Sequence, residues 1–139
     1  MIPINYIAVI AAAIVSMVVG YLWYGPLFGK KWIAASGMTP EQMNAAQSKG
    51  MGSSYSLMFV GALIMNFVLA HTLIFASSYT GTAGISAGLM AGFWSWLGFV
   101  APVSLGSVLW DNKPWMYWFI TAGYYLAVLL INGVILALF

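Results

Sequence analysis

The chain has no cysteine, no arginine, one histidine and two carboxylates among its 139 residues. Without cysteine there is no disulfide, no thiolate metal site and no thiol nucleophile. Charged residues make up 4% of the sequence, whereas a soluble domain carries roughly 25%. The net charge of +2 rests on four lysines against Glu41 and Asp111. That is too little charge for a nucleic-acid surface, which needs clustered Lys and Arg. Hydrolytic or transfer chemistry needs a nucleophile with a base, or a metal site. Ser16, Ser95, Ser104 and Ser107 are available as hydroxyls, but His71 stands alone as a base and no Asp or Glu lies within an apolar run to orient it. No enzyme, cofactor or metal site is expected. A proton-coupled exporter of this size would carry a carboxylate in the membrane, and that too is missing.

What the sequence has instead is apolar length. Hydrophobic residues make up 63% of it and its mean hydropathy is +0.97. Four runs, 4–24, 57–76, 85–109 and 115–139, contain no Asp, Glu, Lys or Arg. Each has about twenty residues or more, enough at about 1.5 Å per residue to cross about 30 Å of hydrocarbon. They lack the alternation of barrel strands. The expected fold is an all-α membrane protein, a single bundle of four transmembrane helices. The first run has no basic residue ahead of it and is too long for a secretory leader, so it reads as a retained helix.

The stretch LWYGPLFGKKW, Leu22 to Trp32, marks the exit from the first span. Trp23, Tyr24 and Trp32 are ring types that settle at the headgroup level, Pro26 is expected to stop the helix, and Lys30 and Lys31 stay in water. Trp110, Trp115 and Lys113 are the matching anchors at the other lysine-bearing turn. Between the first two spans, Thr39-Pro40-Glu41-Gln42 is a helix start: Thr as N-cap, Pro in the first turn and Gln three residues on, with Met38 and Met43 at the staple positions. A short interfacial helix from Pro40 to about Ser48 follows, with Met43 and Ala46 inward. If the spans alternate, all four lysines fall on one side. The positive-inside rule then makes segments 25–56 and 110–114 cytoplasmic and puts both termini outside.

Small residues recur every four positions in the first span, Ala8, Ala12, Ser16 and Gly20, and in the third, Gly84, Gly88 and Gly92. Such stripes let backbones approach closely, which matters in lipid, where apolar burial gives helices little reason to associate. Ala87, Ala91 and Ser95 form a second stripe on the third span, leaving one face for another subunit and making a homo-oligomer the expectation. Pro102, between Gly98 and Gly106, is expected to kink that helix.

WYGPLFGKKW after the first span, GMTPEQ at Gly37 to Gln42, GFVAP at Gly98 to Pro102 and KPWMYWFITAGYYL at Lys113 to Leu126 together resemble a bacterial membrane family called domain of unknown function 1761. The resemblance runs over nearly the whole chain in the right order. It implies four spans in a bacterial inner membrane and brings no activity or ligand.

The polar residues inside the spans are the candidate site: Asn66 and His71 in the second and Asn132 in the fourth. Polar groups in lipid face the bundle interior or a cavity. His71 and Asn132 fall at similar depth, which allows them to meet. They serve either as an interhelical hydrogen bond that fixes register or as a small polar pocket. Haem or metal ligation by His71 would need ligands from other subunits. Function therefore divides between an assembly or interaction protein, the leading expectation, and a channel or facilitator for a small solute. Apart from the lipid bilayer, copies of itself and that solute, no partner is indicated.

Overall fold

The computed structural model describes residues 3–139, and they form an antiparallel bundle built almost wholly of helix. Helix α1 (Tyr6–Leu22) is capped by the Asn5 side chain, which accepts from Ala8 N–H. Its last turn widens into a π-helical segment, Trp23–Leu27. Pro26 has no N–H to offer four residues back, so the backbone register opens by one and Phe28 N–H reaches Trp23 C=O at 2.8 Å. Pro26 thus widens the helix, where the sequence alone suggested a stop. The chain turns at Phe28 into α2 (Gly29–Ser36), a helix for which the sequence offered no start signal.

Helix α3 (Pro40–Ser48) starts with the full capping box: Thr39 Oγ1 accepts from Gln42 N–H and Gln42 Oε1 from Thr39 N–H. Helix α4 (Gly52–Thr80) is longer than its apolar run at both ends. The third span is broken, as Pro102 predicts, into α5 (Gly84–Phe99), α6 (Ala101–Ser104) and α7 (Gly106–Leu109). Helix α8 (Trp115–Leu138) closes the chain. Four segments, Tyr6–Leu27, Gly52–Thr80, Gly84–Leu109 and Trp115–Leu138, are long and apolar enough to span a membrane.

Helix α8 is the axis of the bundle. On one face it meets α5 with no side chain between the backbones. A Cβ added to Gly88 would lie 2.3 Å from the Gly133 carbonyl oxygen, and one added to Gly92 would lie 2.3 Å from that of Leu129. Ala87 and Ala91, on the adjoining face of α5, are buried with Leu69 and Leu73 of α4 and Leu129 of α8. Both small-residue stripes are therefore used within the chain, and Gly88 and Gly92 are not available to a second copy. The physical reason is that α5 is gripped on adjacent faces by α8 and α4. Gly84 is also reassigned: it starts α5 at φ 67° with nothing within 4 Å of a built Cβ, so it serves the turn and not the packing.

A second face of α8 meets α1, where Ala8, Ala12 and Ser16 are buried. A Cβ on Gly20 would lie 3.2 Å from the Tyr124 hydroxyl. The two helices run antiparallel, and their contacts step along both: Asn5 Nδ2 donates to Phe139 C=O, Tyr124 Oη to Ser16 C=O, and Trp23 Nε1 to Ile120 C=O. The first of these places Asn5 and Phe139 at the same end of the bundle. At the other end, Lys113 Nζ donates to the Ser36 carbonyl at the end of α2, so the two lysine-bearing segments lie together.

Candidate functional site

The interior polar residues sit at the crossing of α1, α4 and α8. Asn132 is fully buried, and its Nδ2 donates to Ser16 Oγ at 2.8 Å. Ser16 Oγ in turn donates to Ala12 C=O at 3.0 Å, the back-bond that lets a hydroxyl satisfy itself inside a helix. Tyr124 Oη donates to Ser16 C=O at 2.9 Å. One small residue of α1 thus receives two side chains of α8, two turns apart. Asn66, also fully buried, donates Nδ2 to Ala62 C=O of its own helix at 2.8 Å. The side-chain oxygens of Asn66 and Asn132 have no hydrogen-bond partner. A cavity of about 210 Å³ opens beside this crossing, lined by Ser16, Met17, Met58, Gly61, Ala62, Met65, Tyr124 and Tyr125.

His71 does not reach Asn132. Its Nδ1 is 2.8 Å from the Phe67 carbonyl one turn earlier on α4, and its ring lies between Phe67 and Phe75, at centroid distances of 4.5 and 6.3 Å. The carbonyl can only accept, so Nδ1 carries the hydrogen and the ring is held in one tautomer. The two residues do not meet, because similar depth does not fix azimuth. Asn132 points at α1, while His71 lies partly exposed on α4.

The aromatic exit motif also points inward. Trp23 donates its indole N–H across the bundle, and Tyr24 packs against Tyr124 at 5.3 Å and Trp32 at 5.5 Å. Trp23 is therefore a strut between α1 and α8. Gly123 leaves the room, since a Cβ there would lie 3.3 Å from the Trp23 ring. Trp96 and Trp118 do the same work, which sequence reasoning missed: Trp96 Nε1 donates to Ala122 C=O at 2.7 Å, and Trp118 Nε1 to Ser104 Oγ at 3.0 Å and Ala101 C=O at 3.2 Å. Leu105 N–H bonds to Pro102 C=O rather than to Ala101 C=O, and the Ala101 carbonyl receives the indole together with the Ser104 hydroxyl. Trp110 and Trp115 are exposed, as are Lys30 and Lys31. Lys113 is half-buried against Ser36 with its ammonium 5.6 Å from the Tyr117 ring centre.

Among the described residues no group of three or more His, Asp or Glu is placed to hold a metal ion. Four apolar helices with these internal polar cross-links define a multi-pass integral membrane protein. A family model described as protein of unknown function (DUF1761) matches residues 7–137, and the chain belongs to that family. No curated protein and no solved structure matches it.

Proposed function

We propose that the protein is a rigid membrane-embedded assembly module of the bacterial inner membrane, associating with copies of itself and carrying out no catalysis. The observation behind this reading is how the interior polar groups are used. Asn132, Tyr124, Trp23, Trp96 and Trp118 each spend a donor on a neighbouring helix. Interhelical bonds of this kind are worth roughly 0.6–2 kcal/mol each in a membrane and fix register. They tie helices together and do not line a passage. With the α5 stripes spent inside the chain, self-association uses another face. By the positive-inside rule the lysine-bearing segments face the cytoplasm.

A second reading, a facilitator for a small neutral solute, draws on the cavity beside the α1–α4–α8 crossing and the two unpartnered amide oxygens. A charge-free route selects by hydrogen-bonding groups and constriction. Reconstitution separates the two. On the assembly reading, vesicles containing the protein swell in glycerol or urea at the rate of empty vesicles, and cross-linking in the membrane yields discrete multimers. Accelerated swelling with only monomers would overturn it.

A further inference from the structure

The chain has nine methionines, and three of them come together on the wall of one cavity. Met58, Gly61, Ala62 and Met65 follow one another at helical spacing along one face of α4. Across from them, around the space of about 210 Å³, stand Met17 of α1 and the Tyr124 and Tyr125 rings of α8. Methionine is the usual filler of irregular gaps, because its side chain is unbranched and turns about three bonds. Here three such side chains surround a space that stays open. Gly61 on the same wall has nothing within 4 Å of an added Cβ.

The wall has little hard ligand to give. Ser16 Oγ already receives Asn132 Nδ2 and donates to Ala12 C=O, and Tyr124 Oη is engaged with Ser16 C=O. The chain has no cysteine, and neither His71 nor a carboxylate lines the cavity. What the wall presents is thioether sulfur and two phenol rings. Thioethers are soft ligands that select monovalent copper, whereas calcium and magnesium need several oxygens and zinc needs thiolate, imidazole or carboxylate. Ring faces add attraction for a cation that has left water. Every one of these groups is neutral, so a bound ion keeps its whole charge inside the bilayer, and a cost that rises with the square of the charge disfavours divalent ions. Met58 and Met65 lie two turns, about 10.5 Å, apart along α4, so an ion over Gly61 and Ala62 sits between them and faces Met17. Met51, seven residues before Met58, is exposed and continues the row to the lysine-bearing end of α4, a path in from that side. We propose that Met17, Met58 and Met65 form a thioether site for one soft monovalent cation, Cu(I) or its analogue Ag(I).

The test titrates the intact protein with silver nitrate in chloride-free detergent, with the methionine methyl groups labelled with carbon-13. Ag(I) has the filled d shell of Cu(I) and needs no reductant. The methyl resonances of Met17, Met58 and Met65 should shift together and saturate at one ion per chain, while those of Met90 and Met116, which do not line the cavity, stay in place. Sodium and zinc at the same concentration should move none of them. Met58→Leu and Met65→Leu conserve volume, and each should weaken Ag(I) binding by roughly tenfold or more, the loss expected when one contributor to a metal site is removed. Met90→Leu should leave the binding unchanged. If a cavity variant fails to fold, the methyl shifts of the unaltered chain still decide. The absence of a saturable shift at Met17, Met58 and Met65, or an equal shift at Met90 and Met116, overturns the proposal.

Discussion

The two faces of α8 are built on opposite plans. Toward α5, Gly88, Gly92 and Gly133 bring backbone onto backbone, with no room for a single methyl group. Toward α1, the contact is a ladder of side chains donating to the other helix's backbone or hydroxyl, from Asn5 at one end to Trp23 at the other. The first plan gains dispersion contact and tolerates no added volume. The second gains several separate bonds, each dispensable, and leaves a cavity beside it. In a solvent as apolar as the side chains themselves, these are the two means available for holding helices together.

The comparison breaks most sharply at the glycine face. Gly88→Leu, or even Gly88→Ala, should force α5 and α8 apart and lower stability by more than the roughly 1–3 kcal/mol usual for overpacking, read as loss of a folded, monodisperse peak in detergent. Gly61→Ala, whose new Cβ meets nothing within 4 Å, should stay within about 0.5 kcal/mol of the original. An equal effect at both sites would mean that the backbone contact is not what holds α5.

A smaller effect is expected on the ladder. Tyr124→Phe removes one bond to the Ser16 carbonyl, and about 0.6–2 kcal/mol of stability should go with it, a fall of several degrees in the melting temperature. A loss as large as that from Gly88→Ala would erase the distinction between the faces. Lys113→Ala should do less still. It frees the last turn of α2, where a cation complements the exposed carbonyls for about 0.3–1 kcal/mol, so hydrogen exchange should quicken in α2 while the spans keep their protection. Smallest of all is His71→Leu, since His71 Nδ1 bonds only to its own helix; the mass in detergent and the melting temperature should barely move.

Topology extends the comparison to the ends of the bundle. Cysteines placed at Lys30 and at Lys113 should behave alike toward an impermeant thiol reagent in intact cells, both protected, while one at Thr80 labels. Opposite behaviour of the two lysine sites would contradict the contact between Lys113 and Ser36.

What the sequence determined by itself is what depends on neighbours along the chain. The four spans follow from run length and the absence of charge, the start of α3 from the Thr39–Gln42 spacing, and the break at Pro102 from a missing N–H. What only the tertiary structure decided is azimuth: which side of each helix meets which partner. Small-residue spacing showed that Gly88 and Gly92 make a close contact without showing that the partner is Gly133 and Leu129 of the same chain. Depth placed His71 beside Asn132, yet Asn132 turns to Ser16 and His71 to its own helix. Trp23, Trp96 and Trp118 carried no sign that their indoles would cross to acceptors on other helices, because an aromatic ring in a span looks alike in sequence whether it faces headgroups, lipid or the bundle. In lipid an apolar surface is equally at home outward or inward. The hydrophobic pattern that orients a helix in water is therefore flat here, and only the fit between specific small and polar side chains chooses the rotation.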